Sequence, residues 1–505
     1  MSGFGDSPFE PEPGDDAVPT RSRPVRAPRR PAPGPVRRRW AALVTVVGIV
    51  VVVGVVSAAA STPSAPPAPG TADGVRIAPV GAFSSSAFCV DGVGSAAATT
   101  IYLTNSGRRA VTGIMTSTGV STGGAPIVYR SVTVPARGTV AVNPAAGLPA
   151  GSTASSFVFA GGGVVASQVV SGPAGWSTAP CASEVSPQWA FAGGSTSSGN
   201  TLTLDLFNPT ATVAAVNISF LTGSGTVVPQ AYQGLSIAPG QLVEENVGDY
   251  VQNDADIATL VTAESGAPVA TELQQWSSAS AAGLSLRLGA PALSSTWRFA
   301  QSTALSGSTV SFSLANPSQA TVAATVDVGL SSGTVLPHKV LVAPQSIVTV
   351  TSGTTGLPQQ VPFALTVTAT APIVVGRSVQ AASGAAPPTW GSSSGTVTLA
   401  NRWLIPAPGI PAVPGTSGAS IASVAVANPG PSVARVEITS NGADHPVAVF
   451  DVQPGRMTML GDTTITGLST LVVTSTQPVN VEEDSAPTGA PGVVSSTGFP
   501  FTGQA

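Results

Sequence analysis

Short runs of alternating apolar and polar residues recur along this chain, and four of them end in asparagine. Ile101 and Leu103 lead to Asn105, Leu204 and Leu206 to Asn208, Phe312 and Leu314 to Asn316, and Val424 and Val426 to Asn428. The positions between are mostly small or polar. Alternation of period two marks a strand with one buried face. Successive asparagines are 103, 108 and 112 residues apart. Such a period is too long for a solenoid unit and suits a whole β-sandwich.

The neighbourhood of each asparagine repeats as well. Proline follows in three copies (Pro209, Pro317, Pro429), whereas the first reads Asn105-Ser106. An Asn side chain bonds its own following backbone and Pro presets φ, so these asparagines are read as structural turn residues. A second alternating strand comes next, as in Val216, Ile218 and Phe220. A turn then falls at Pro135, Pro239, Pro344 and Pro454. Two last strands bracket a further turn, at Gly163 in the first copy and at Pro268, Pro372 and Pro478 in the others. With an opening strand, each copy holds about seven strands, the count of an immunoglobulin-like sandwich.

Ahead of the copies lies a different kind of segment. Trp40 to Ala60 carries no charge, and Arg37, Arg38 and Arg39 precede it. Its length suits a helix spanning about 30 Å of hydrocarbon. Basic residues on the leading side place the N-terminus in the cytoplasm and residues 61–505 outside. The small residues Ala58 and Ala60 also fit a cleaved signal peptide, but 39 residues precede the apolar run, well beyond an ordinary leader. The expected organisation is an all-β ectodomain of four tandem Ig-like sandwiches behind one transmembrane helix and a disordered tail. In order these are an Arg/Pro-rich tail (1–39), the membrane helix (40–60), a Pro/Ser/Thr stalk (61–74), and sandwiches at 75–183, 184–291, 292–398 and 399–505.

Six tryptophans pair around the copy boundaries: Trp176 with Trp189, Trp276 with Trp297, and Trp390 with Trp403. Buried, they would pack the joints; exposed and coplanar, they would stack on sugar rings.

Charge alters the picture. Charged residues make up 9% of the chain, against about 25% in ordinary soluble domains. Eight of the 20 basic residues lie between Arg21 and Arg39, and beyond residue 60 there are 12 basic and 19 acidic residues. That balance argues against a nucleic-acid partner. Cys89 and Cys181 are the two cysteines. Outside the cytoplasm a disulfide is the default reading, with two buried thiols as the alternative.

Candidate chemistry is sparse. His338 and His445 occupy non-equivalent loops, which supports neither a zinc site nor a Ser-His-Asp triad. Asp254 and Asp256 offer oxygens to calcium, but their spacing matches no complete EF-type loop, and a solvated loop is the simpler reading. Glu482, Glu483 and Asp484 are expected to form an exposed acidic strand end. No cofactor, metal or catalytic residue is expected.

The motifs LDLFNP, FSLANP and VAVANP, with IAPG, VAPQ and VQPG downstream, resemble those of an uncharacterised actinobacterial family of membrane-anchored envelope proteins, a domain of unknown function. The resemblance covers residues 40–505. It implies an Arg-rich tail, one anchor and repeated strand-Asn-Pro-strand units, and it supplies no catalytic residues. It also implies an association with cell-wall polysaccharide assembly. The leading expectation is a non-enzymatic envelope protein whose sandwiches form a rod presenting surfaces to a protein or a cell-wall glycan. An accessory subunit of a membrane glycosyltransferase is the alternative, and an extracellular glycan-active enzyme a third.

Protease added to intact protoplasts is expected to remove residues 61–505 and spare the tail. Protection of the ectodomain in that assay would overturn the orientation.

Overall fold

The computed structural model describes residues 74–501, apart from 95–96, 121–125, 279–280, 304–307, 354–355, 384–385, 407–420, 462–469 and 487–493. The stretches 1–39 and 40–60, and all but the last residue of 61–74, lie outside the described residues. Among the described residues no helix is long and apolar enough to cross a membrane.

The described chain is all β. Eight strands form a first set: β1 (Ser85–Val90), β2 (Ala98–Asn105), β3 (Val111–Gly119), β4 (Val128–Val134), β5 (Thr139–Val142), β6 (Thr153–Phe159), β7 (Val164–Gly172) and β8 (Gly175–Pro180). They make two sheets, ordered β1-β6-β3-β4 and β5-β2-β7-β8. Alternate residues from both sheets, among them Leu103, Met115, Phe157 and Phe159, bury into one shared core. That is the layering of a sandwich.

The pairing pattern returns. Next come β9 (Gln188–Gly194), β10 (Asn200–Phe207), β11 (Ala214–Thr222), β12 (Gly225–Val227), β13 (Leu235–Ile237), β14 (Leu242–Asn246), β15 (Ile257–Ser265), β16 (Val269–Ser278) and β17 (Ala281–Leu288). Here the orders are β9-β15-β11-β12 and β14-β10-β16-β17. A third group holds β18 (Ser294–Thr303), β19 (Thr309–Asn316), β20 (Val322–Leu330), β21 (His338–Val342), β22 (Ser346–Thr351), β23 (Pro362–Ser383) and β24 (Ala386–Ser394). The last holds β25 (Ala400–Pro406), β26 (Ile421–Asn428), β27 (Ala434–Ser440), β28 (Pro446–Val452), β29 (Arg456–Leu460), β30 (Thr470–Ala486), β31 (Val494–Thr497) and β32 (Phe499–Pro500).

Two turns expected from the sequence are absent. Around Pro372 and Pro478 the chain stays extended, so β23 and β30 each serve two sheets. The residues of β23 up to Ile373 pair with β18 and β20, and Val374 to Gln380 pair with β19. In β30, Thr470 to Ser475 pair with β25 and β27, and Asn480 to Ala486 with β26. Proline has no N–H for a central ladder, so it sits where one ladder hands over to the next. The first two groups open this point into a turn because glycine is present. Gly163 (φ 82°) and Gly266 (φ 72°) take left-handed conformations that glycine adopts without steric cost.

The groups do not extend as a rod. From the second group on, the outer face of each second sheet packs against the first strand of the preceding group. Thr271 Oγ1 donates to Val90 O at 3.3 Å. A Cβ on Gly376 would fall 2.0 Å from Ala192 O, and Gln301 N donates to Glu482 Oε2 at 3.0 Å. β17 also pairs in parallel with β24. The last group then meets the first. Ile77 N donates to Pro500 O at 3.1 Å, and Ile77, Val165, Leu404, Val472 and Phe499 form one apolar cluster. The inner strands β8, β17, β24 and β31 all contribute to a small central space of about 70 Å³. The described residues from 74 to 501 therefore belong to one compact unit whose last group meets its first.

Cys89 and Cys181 are joined in a disulfide, buried in the first core. The loop it closes separates the two residues by 92 positions, a length worth about 4–5 kcal/mol in the chain-entropy model. Replacing both cysteines with alanine is expected to lower unfolding free energy by roughly that amount. A denaturant titration measures it, and an unchanged midpoint would show that the bond contributes nothing.

Candidate functional site

The recurring residues are structural. Each asparagine makes the same hydrogen bonds. Asn208 Nδ2 donates to Thr212 O (2.8 Å) and Ile237 O (2.9 Å), while its Oδ1 accepts from Thr210 N (3.1 Å). Asn105, Asn316 and Asn428 do likewise with Arg109, Ala320 and Ser432, and with Val134, Val342 and Val452. All four are buried. They face inward, away from any ligand.

The tryptophans are enclosed too. Trp176, Trp189, Trp297 and Trp403 are at most 1% exposed, and Trp276 is 3% exposed. Trp276 stacks on Trp390 at 5.2 Å across the β17–β24 joint. Trp189, Trp297 and Trp403 each donate Nε1–H to a carbonyl at the sheet handover, on Pro268, Ile373 and Val479. Sugar stacking needs an open ring face, which the five buried indoles lack; Trp390 is half-buried, with one face against Trp276.

The acidic residues depart further from expectation. Glu482 is 1% exposed rather than on a solvated strand end, and it pairs with buried Arg377 at 3.1 Å. Arg377 Nη2 also approaches Asp484 Oδ1, at 3.7 Å. Burial pushes Glu482 up to about 7, against the opposing pull of Arg377. Asp256 is half-buried in a loop whose Gln252, Asn253 and Ala255 are exposed. Its carboxylate meets the Thr349 hydroxyl of the following group, and burial pushes it up to about 7. Asp254 instead accepts the Asp256 N–H at 3.1 Å. Among the described residues no three His, Cys, Asp or Glu side chains are placed to hold a metal. His338 opens β21, and His445 immediately precedes β28.

A denser cluster spans the first joint. Asp205 is fully buried, and neither of its carboxylate oxygens has a hydrogen-bond partner. Gly92 abuts it so closely that a Cβ there would lie 1.9 Å from Oδ2. Nearby, Asp91 accepts from Thr153 N (2.7 Å) and Oγ1 (2.6 Å). Glu272 pairs with Arg287 at 2.6 Å. Burial raises the Asp205 carboxyl well above the usual range, with Glu244, Asp91 and Glu272 adding to it.

The open site lies elsewhere, where the chain closes. A groove of about 860 Å³ runs between the first and last groups. The first group supplies Val80–Ala82, the loop Ser106–Val111, Arg137 and the turn Ala160–Gly162; the last supplies Arg402, the loop Thr439–Ala443, Val472 and Thr474. Arg108, Arg109, Arg137 and Arg402 all line it, and among the described residues no carboxylate does; Asp444 follows just beyond the lining. Asn441 Nδ2 donates to Asn105 O at 3.0 Å, and Arg137 Nη1 to Gly442 O at 3.0 Å, fastening the two walls. Arg402 lies over the Phe501 ring at 4.2 Å, and its partial burial lowers its pKa. Arg108 and Arg109 are exposed.

Arg137 stands at φ 51°, in the turn position that Gly240 (φ 72°), Gln345 (φ 50°) and Gly455 (φ 66°) occupy elsewhere. A left-handed non-glycine residue is uncommon. Two local signals in the sequence could have marked this place, and neither was read: the Arg108-Arg109 pair just after the Asn105 turn, and arginine at Arg137. Their convergence on Arg402 depends on closure and has no local signal.

A family model, "Family of unknown function (DUF5719)", matches residues 151–385. The match starts just before β6 and ends just before β24, so it crosses the group boundaries and is narrower than the expected span. No curated protein matches the chain. Among solved structures, Thermotoga maritima 1070 is 17% identical over 20% of this chain and 92% of that one, with a TM-score of 0.19. The pilus backbone from Streptococcus pneumoniae is 9% identical over 66% and 85%, with a TM-score of 0.12. A tetra-tandem repeat from the extending region of a large adhesion protein is 11% identical over 83% and 100%, with a TM-score of 0.08. Likenesses this distant do not bear on function.

Raised carboxyl pKa values set a pH dependence. Asp205, Asp256 and Glu482 hold protons in the fold at pH values where the unfolded chain has lost them. Their stabilising contribution is full below about pH 4 and is lost as pH rises toward and past 7. Asp205→Asn, which keeps the neutral form, is expected to flatten that fall. Denaturation midpoints at pH 5 and pH 8 measure it, and equal slopes in the two proteins would refute the assignment.

Proposed function

We propose that this chain is a non-enzymatic, membrane-anchored envelope protein. Four tandem Ig-like sandwiches follow the apolar run 40–60 and the stalk. They lie outside the membrane and bind a protein or a cell-wall glycan. The observation that carries this reading is the groove of about 860 Å³. Its size falls within the range of ligand-binding clefts. Its walls come from residues that the copies do not share.

The alternative, an accessory subunit of a membrane glycosyltransferase, draws on one observation. The groove wall at Val80–Ala82 follows the apolar run after only 19 residues of chain. A polymer leaving a membrane enzyme would meet the groove early.

A photocrosslinking side chain placed at Ser440, on the groove wall, tests the binding reading in intact cells. It is expected to capture wall glycan or a membrane protein, while the same probe at Leu336, exposed at 84%, captures neither. Equal yields from the two positions would remove the groove as the binding site.

A further inference from the structure

We propose that the groove binds an acidic glycan, one whose sugars carry phosphate or carboxylate groups, through forked hydrogen bonds from Arg108 and Arg109 with Arg402 behind them. This rests on the binding reading above and names its ligand class.

Charge distribution is the first argument. Of the 12 basic residues beyond residue 60, four line this one groove, in a stretch that carries 19 acidic residues. Several arginines elsewhere have structural partners. Arg76 pairs with Glu184, Arg287 with Glu272, and Arg377 with Glu482. Arg108 and Arg109 are exposed, and among the described residues no carboxylate lines the groove beside them. A planar guanidinium matches the two oxygens of a carboxylate or phosphate, which a point charge does not.

The rest of the lining selects among anions. It is small and polar, with the hydroxyls of Ser106, Thr439, Ser440 and Thr474 and the amide of Asn441. Among the described residues no aromatic side chain lines it, so neutral sugars have no ring to stack on. A protein partner would need an apolar pocket for its anchoring side chains, and valine and alanine provide only scattered contacts. Hydroxyl-rich chains with fixed negative groups fit what remains. Arg137 secures the wall, held in a left-handed turn with its guanidinium on Gly442 O.

The test uses full-length protein in detergent with four fluorescent probes: polygalacturonate, a glycerol-phosphate-substituted glycan, neutral dextran and poly-glutamate. Expected are binding of one or both acidic glycans, weakening as salt rises, and a loss of about tenfold or more in R108S/R109S. The arms separate carboxylate from phosphate as the recognised group. Both side chains are exposed, so the variant's melting temperature should be unchanged, and S440W narrows the groove whatever the ligand's charge. Equal binding of dextran or of poly-glutamate would overturn the acidic-glycan assignment. Envelope glycan retained by R108S/R109S but lost by S440W would overturn this inference and leave the groove reading standing. Retention by both variants would overturn the two together.

Discussion

A buried asparagine amide, used four times, holds the two layers of each sandwich in register. The asparagine closes a strand of the second sheet, yet its Nδ2 reaches a carbonyl at the end of a strand in the first, as Asn105 does with Val134 and Asn428 with Val452. Its oxygen meanwhile organises the following turn. One side chain therefore fixes a sheet edge, a turn and the offset between layers. Burying an amide is costly unless its bonds are made, so a slipped register would leave it unsatisfied. The indoles of Trp189, Trp297 and Trp403 secure the opposite strand, where the chain passes between sheets.

Much of this local scaffold was legible. Period-two alternation reports one buried face, and the Asn-ended strands, their second strands and the opening tryptophans stand where the pattern puts them. The turns at Pro372 and Pro478 were misread because proline signals a missing N–H, which serves a handover between sheets as well as a turn. Glycine at Gly163 and Gly266 distinguishes the two cases. The outward positions were opaque for a different reason. Asp205, Thr271, Gly376 and Glu482 lie on outer faces, and a polar or small residue there reads as solvated until the neighbouring sandwich covers it. The groove was hidden in the same way, since Arg108 and Arg402 are nearly three hundred positions apart in sequence and meet only through closure.

In a chain so poor in charge, the placement of what remains is informative. Several carboxylates lie buried at the joints, where burial raises their pKa or an arginine faces them. Four arginines line the closing seam. Joints formed this way exchange hydration for a few specific contacts, so they favour one arrangement of neighbouring sheets over other ways of stacking similar faces. The seam is a joint that retains access to water, and positive charge lines it.

Closure also imposes an order in time. Ile77 is made early, and its partners Phe499 and Pro500 come more than four hundred residues later. Each group of strands can complete its own core as its residues emerge, but the latch waits for β32. Until then the two walls of the groove exist apart. The arrangement makes the groove's shape depend on pairing between segments at opposite ends of the described fold.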